Sequence, residues 1–503
     1  SRLDFTLISV KKYYAVDEVI AQRLAFQTEI PLEGEERIAS QFFCDTPFGE
    51  VPMTKYQLGP FMPLSSTYAG SYYYTNGRVV RMENNSLVVE PCSKKAHRAL
   101  ERHLLKELWN KNRLGGRKAV IVRLLTHTIK SFKKKELWLI CDRVNKADDN
   151  GEAFFRYLTE NHAKERKYVF AISKNVPDYT RIKKMGTVVP FMGWKYKLLA
   201  LTADRIISSQ GEDYISNPFH GYADPYKDLL HETQFIFIQH GIILHDLSGW
   251  LDRYNKNLTM FVTSTVPEYD SILQYDYHYD DSVVKMTGLP RFDYLEHNEK
   301  KYITFMPTWR AYLVGGLDPT TGERTARPGF ENSKYYAMYD AVLNCSRLYD
   351  AAQRLGYRIR LMNHPNMRAI DNNMTTDSRL IKLSFNESYR TIFAESDLIV
   401  TDYSSIAFDF AYLRKPVLYY QADEKEFFSG AHTSHKGYFD YERDGFGEIE
   451  KSAESLVDRL IEYMENGCKL KPQYRARIEA TFPYSDKNNC RRVYEAIVKQ
   501  DNR

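Results

Sequence analysis

Thr401, Asp402, Tyr403, Ser404 and Ser405 stand between an apolar run, Leu398-Ile399-Val400, and a stretch from Ile406 to Leu413 that is largely apolar. Arg414-Lys415-Pro416 closes that stretch before a second apolar run begins at Val417. The pattern predicts strand, hydroxyl-rich turn, helix, strand. Such a turn sets hydroxyls beside the first amides of a helix, which point outward unpaired and suit phosphate oxygens. Ordinary N-capping by Ser404 or Ser405 would use the same residues. His240, Arg310 and His364 also fall just behind predicted strands. An imidazole that is neutral near pH 7 can take a proton, and a guanidinium can fork onto phosphate. Each has a plainer reading too: a hydrogen-bonded histidine at a strand end, or a turn shaped by His364-Pro365.

These residues need elements to position them. From Leu137 onward apolar runs alternate with helical stretches: Leu137–Cys141, Tyr168–Ile172, Ile206–Ser208, Phe235–Gln239, Met260–Thr263 and Val283–Met286 form one series. Tyr302–Met306, Tyr357–Met362, Ile381–Leu383, Leu398–Val400 and Val417–Tyr420 form a second. Two successive series predict an α/β protein with two doubly wound, Rossmann-like domains facing a cleft, over 136–298 and 299–503 with a closing C-terminal helix. Ligands of such sheets bind beyond the carboxyl ends of the strands, where His240, Arg310, His364 and Ser404 all stand. Residues 1–92 read as a β-rich, sandwich-like accessory domain, with Asn76-Gly77 as a hairpin turn.

The composition, 43% hydrophobic and 27% charged, excludes a disordered chain. No apolar run reaches the eighteen residues of a membrane-spanning helix. The chain begins at Ser1 without a Met, which reads as a processed protein or a segment of a longer one. Six scattered cysteines offer neither a zinc site nor a disulfide framework and suit a reducing cytoplasm. Between Lys94 and Lys135 stand fourteen Lys and Arg against Glu101 and Glu107, a net of +12, although the whole chain carries only +5. Leucine stripes at 100, 104, 105 and 108 and apolar residues at 120, 121, 124, 125 and 129 predict basic amphipathic helices over 93–135. Such helices suit an anionic membrane surface, the alternative being a solvated pair packed on its neighbour. Nucleic acid is not predicted as a partner, because aromatic residues are not interleaved with the charge. Asp148-Asp149 and Asp280-Asp281 read as solvated loops, so no metal site is predicted.

TDYSS at 401–405, with Asp409 inside the following helix and Arg414-Lys415-Pro416 after it, resembles the CDP-glycerol glycerophosphotransferase family. Its members prime and polymerise teichoic acids and related phosphate-linked capsules. The resemblance runs from about residue 136 to 485 through His240-Gly241, Gly288-Leu289-Pro290-Arg291-Phe292-Asp293, Met306-Pro307-Thr308-Trp309-Arg310 and Asn363-His364-Pro365. It implies the glycosyltransferase-B (GT-B) arrangement and transfer of glycerol phosphate from CDP-glycerol to a lipid-linked or glycan acceptor, with release of CMP; the basic helices put this at the cytoplasmic face of the membrane, and the lack of a metal-ligand cluster predicts chemistry without a metal or other cofactor. His240 would be the general base, with Gly241 allowing close approach. His364 would meet the diphosphate as donor or leaving-group acid. Arg310, Thr401, Ser404 and Ser405 would hold phosphate, Asp402 would orient His364 or a hydroxyl, and Asp409 would grip ribose or form a salt bridge. Arg291 and Asp293 would serve a hinge or substrate, and His245 and Asp246 would face the acceptor. The sequence departs from the family where many members have Trp before the histidine and Thr-Pro-Leu-Lys after His-Gly; here Gln239 precedes it and Ile242-Ile243-Leu244-His245 follow. Alternatives are a CDP-ribitol-dependent enzyme, a GT-B sugar-nucleotide glycosyltransferase and a membrane-bound scaffold with an inactive transferase fold.

Overall fold

The computed structural model describes residues 6–15, 18–27, 37–52, 62–317, 324–368, 376–429 and 436–501. The chain divides into two compact units, one of residues 1–58 and 63–117, the other of 59–62 and 118–503.

In the first unit, strands Tyr72–Thr75, Arg78–Glu83 and Ser86–Pro91 form an antiparallel meander, with Ile38–Ser40 pairing beside the last. Two-residue turns at Asn76-Gly77 and Asn84-Asn85 connect the meander, all four residues having positive φ as a type I′ hairpin turn requires. The helix Lys94–Lys111, capped by Ser93, belongs to this unit and buries Leu104 and Leu108. His97 stacks on Tyr74 with ring centroids 4.1 Å apart, and Tyr72 donates to Glu101. The leucine stripe of this helix is therefore protein core. The described strands of this unit form one four-stranded sheet and two two-stranded ribbons.

The second unit contains two parallel sheets. In the first lobe, strands Leu137–Cys141, Lys167–Ile172, Thr187–Pro190, Arg205–Ser208, Gln234–Phe237, Met260–Thr263 and Val284–Met286, counted in chain order, lie as 3-2-1-4-5-6-7. In the second lobe, Tyr302–Phe305, Arg358–Leu361, Ile381–Lys382, Ser396–Thr401, Val417–Tyr420 and Ile449–Glu450 lie as 3-2-1-4-5-6. Both are doubly wound, with the order reversing beside the first strand, where crevices open. Thr187–Pro190 and Ile449–Glu450, which the periodicity did not mark, are short edge strands, and Pro190 at the end of the former suits an edge. The last helix, Asn489–Asp501, crosses back to the first lobe: Gln500 donates to the Thr259 carbonyl at 2.9 Å, and the Tyr494 ring lies 6.0 Å from Trp138.

The helix Gly116–Phe132 is amphipathic in the inverted sense. Its buried side chains are Ala119, Arg123 and Thr126, and Arg123 forms two 2.7 Å bonds to Asp228. Ile121, Leu124, Leu125, Ile129 and Phe132 point to solvent, Phe132 at 80% exposure. No helix among the described residues is long and apolar enough to cross a membrane.

Candidate active site

Between the two lobes lies a cavity of about 210 Å³. His240 lines it from the first lobe and His364, Ser404 and Ser405 from the second. The lobes touch at this point. A Cβ on Gly241 would stand 2.5 Å from the Ser405 hydroxyl oxygen, so glycine lets the turn after His240 approach the serine turn with that hydroxyl in place.

The His240 turn is held from three sides. Gln239 has φ of 57°, a strained conformation for a residue with a long side chain. Its side-chain amide donates to the Val262 carbonyl and to Glu268, and its own carbonyl accepts from Asn150 at 2.7 Å. Glu268 is fully buried and also accepts from the amides of Ile243 and Ser264, both at 2.7 Å. Arg291 then donates to the His240 carbonyl at 2.7 Å while pairing with Asp149 of the first lobe and Asp409 of the second. Arg291 thus clasps the lobes beside the candidate base. Asp293 caps the returning C-terminal helix, accepting from the amides of Asn489 and Cys490.

Several residues expected at the site lie elsewhere. Arg310 is fully buried, bonded to Asp423, Asp402 and the Thr308 carbonyl, with Tyr335, Tyr403 and Phe427 rings around its guanidinium. It is not among the residues that line the cavity. Asp402 accepts from Arg310 and from the amides of Thr308 and Tyr403, leaving it no part in orienting His364. Thr401 donates its hydroxyl to the Met306 carbonyl on the neighbouring strand. Asp409 lines the cavity, but both its carboxylate oxygens accept from Arg291, so the salt bridge takes the place of ribose binding. Ser404 accepts from the amide of Ile406 at 3.3 Å, so capping and cavity lining coincide in one residue. His245 is buried against Phe427 and Phe428 instead of facing an acceptor.

Other residues at the site carried too weak a signal in the sequence. The loop read as solvated around Asp148-Asp149 is part of the cavity wall. Asp148 pairs across the cleft with Arg390, and Lys146 donates to the carbonyls of Phe385 and Glu387. Asp149 caps the helix Asn150–Asn161 and holds Arg291. Arg143, Arg156 and Tyr389 complete this wall. The one available cue was that the loop follows the first strand of a doubly wound sheet, where the crevice opens. Asp280, by contrast, is exposed as a loop aspartate should be.

Electrostatics suit proton transfer. The His240 ring opens to the cleft but lies deep in the protein, and desolvation, then the Arg143 charge, push its pKa below the usual 6.5. The imidazole is therefore neutral and able to accept at pH 7. His364 Nδ1 accepts from the Asn366 amide at 3.2 Å, which puts the proton of the neutral ring on Nε2, a donor. Burial pushes His245 down to about 4. Among the described residues no three His, Cys, Asp or Glu side chains converge as a metal cage.

Comparison with known proteins places this geometry. The chain is 34% identical over 500 residues to the minor teichoic acid biosynthesis protein GgaB of Bacillus subtilis, covering 97% of this chain and 54% of that protein. It therefore spans about half the length of that relative. It is 23% identical over 342 residues to the teichoic acid glycerol-phosphate transferase of Staphylococcus aureus, across 62% of this chain and 79% of that one. In fold it matches the wall teichoic acid polymerase TagF with a TM-score of 0.54 and 17% identity, over 82% of this chain and 98% of the other. A TagF variant soaked with CDPG superposes with a TM-score of 0.52 at 19% identity, over 80% and 98% of the two chains. The family model for CDP-glycerol:poly(glycerophosphate) glycerophosphotransferase matches residues 122–499, both lobes and the clasp between them, and the chain belongs to that family.

Proposed function

We propose that this protein transfers glycerol phosphate from CDP-glycerol to a hydroxyl of a lipid-linked or glycan acceptor in teichoic-acid-like or capsule polymer synthesis. The acceptor oxygen bonds to the phosphorus that carries glycerol, the bond from that phosphorus to the bridging oxygen breaks, and CMP leaves with the electron pair. His240 takes the acceptor proton. The Nε2–H of His364 and the hydroxyls of Ser404 and Ser405 hold the diphosphate, because charge developing around phosphorus is stabilised mainly by fixed donors. The observation that carries this reading is the contact of Gly241 with Ser405, which brings the candidate base and the phosphate turn into one cavity.

Incubation with a panel of CDP-alcohols and UDP-sugars tests it. CMP release from CDP-glycerol, undiminished by EDTA, is the expected result. CMP release from CDP-ribitol alone would redirect the substrate, UDP release would assign a glycosyltransferase, and no turnover of any donor would support a scaffold.

The reading includes a peripheral position on an anionic membrane surface. The supporting observation is the outward stripe Ile121, Leu124, Leu125, Ile129 and Phe132, flanked by the exposed Lys118, Lys134 and Lys135, whereas Lys130 and Lys133 are paired with Glu232 and Asp204. Each cation near such a surface contributes about 1 kcal/mol, attenuated by salt. Charge placed on the stripe, as in Leu125→Glu with Phe132→Glu, should abolish sedimentation with phosphatidylglycerol vesicles. Unchanged sedimentation would remove the membrane from the proposal.

A further inference from the structure

The cations of the cleft differ in what already occupies them. Arg291 is paired with Asp149 and Asp409, Arg390 with Asp148, and Lys146 with two backbone carbonyls. Arg310 is sealed between Asp402 and Asp423, away from the cavity. Arg143 is different. It lines the cavity with His240, Ser404 and Ser405, it is half-buried, and its guanidinium forms no hydrogen bond, ion pair or ring contact among the described residues.

Its backbone is fixed. Arg143 stands two residues beyond the first strand of the first lobe, and its carbonyl accepts from the Lys146 amide. The next carbonyl, of Val144, accepts from Ser173 at 2.9 Å. Just before it, buried Asp142 accepts from the amides of Gly151 and Glu152, both at 2.8 Å, which staples the two ends of the loop together. The loop fixes where the side chain starts, its uncommitted guanidinium stays available on a flexible stem, and the five donors of its planar fork fit the oxygens of a phosphoryl group. Its positive charge also disfavours protonation of His240.

We propose that Arg143 binds the phosphoryl group being transferred, gripping its non-bridging oxygens from the first lobe while the serine turn holds the diphosphate from the second. This assigns to Arg143 the phosphate contact for which Arg310 is sterically unavailable. It rests on the proposed transfer reaction for its role in turnover, but not for anion binding itself.

Two measurements on Arg143→Gln and Arg143→Lys separate these levels. Calorimetric titration with inorganic pyrophosphate needs no knowledge of the nucleotide substrate. The expected result is binding by the wild-type protein, at least tenfold weaker binding by Arg143→Gln and an intermediate affinity for Arg143→Lys, with unchanged melting temperatures. Equal affinities in wild type and Arg143→Gln, or no binding by the wild type, would overturn the assignment. With an active CDP-alcohol, kcat should fall about 10²-fold in Arg143→Gln, and the acid limb of its kcat/KM profile should move up toward the ordinary histidine value. A kcat within threefold of wild type with an unmoved limb would also overturn it. Wild type that binds pyrophosphate through Arg143 but turns over no CDP-alcohol would refute the transfer reaction and leave the anion site standing.

Discussion

Arg291 and Asp409 meet in a two-pronged salt bridge, Nε to Oδ1 at 2.6 Å and Nη2 to Oδ2 at 2.7 Å, with the Asp409 side chain only 1% exposed. The remaining Arg291 prong reaches Asp149 and the His240 carbonyl, so one guanidinium joins the second lobe to the backbone of the candidate base. Removing one partner of a buried pair leaves an uncompensated charge and costs about 3–5 kcal/mol. Asp409→Asn should lower the unfolding free energy by about 3 kcal/mol and reduce CMP release as well. Denaturant titration beside a turnover assay checks both, and an unaltered midpoint would show that the clasp does not stabilise the fold.

His240→Ala should reduce kcat by about 10²–10⁴-fold, the usual loss for a general base. A residual rate within about threefold of wild type would remove His240 from the mechanism. The pH dependence has a definite sign. Protonated imidazole cannot accept a proton, and desolvation within the cleft together with Arg143 holds the His240 pKa below 6.5. The acid limb of kcat/KM in the wild-type protein should therefore lie below pH 6.5, with activity maintained from neutral into mildly acidic solution. A limb above pH 6.5 would contradict this environment.

Gly241→Ala places a methyl group 2.5 Å from the Ser405 hydroxyl oxygen, closer than real Cβ contacts come, so the Ser405 side chain or the turn that carries it must shift. Displacements near 1 Å at a reacting centre can cost about 10²-fold in rate, and a loss of that order is expected. Adding Ser405→Ala removes the clashing oxygen and leaves the nearest serine atom at 3.4 Å. The double variant should be more active than Gly241→Ala alone despite lacking one phosphate donor. If the second substitution only worsens the first, the lobes are not apposed as described.

Arg310 should behave as a structural residue. Arg310→Met leaves Asp402 and Asp423 buried without their partner, and a stability loss of about 3–5 kcal/mol is expected. Ser404→Ala should instead leave the melting temperature nearly unchanged and raise KM for the nucleotide donor. Thermal unfolding and steady-state kinetics on the two variants distinguish the roles. A stable Arg310→Met protein with a raised KM would return Arg310 to the phosphate site.

How much of this was legible in the chain differs from residue to residue. His240, His364, Ser404 and Ser405 could be picked out because each follows an apolar run of strand length, and doubly wound sheets place such positions at one crevice. Local periodicity carries that information, as it does for the type I′ turns at Asn76-Gly77 and for most strands of both lobes. Arg310 and Asp402 looked the same by that criterion yet pair with each other inside the second lobe. Only the register between neighbouring strands, which brings Val400 beside Phe305, decides that these two charges satisfy one another away from solvent.

The 94–135 stretch makes the same point at the surface. Its composition determined that two basic helices with apolar stripes would form, because helical spacing is a property of the chain itself. Which way each stripe faces was settled by tertiary contacts. Leu104 and Leu108 pack inward, whereas Arg123 is drawn in by Asp228 and turns Leu124 and Leu125 outward. The partners of Arg291 and the isolation of Arg143 were likewise invisible, since ion pairs join residues more than a hundred positions apart. Spacing along the chain sets which element a residue occupies; the partner a charge finds depends on the packing of elements far away in sequence.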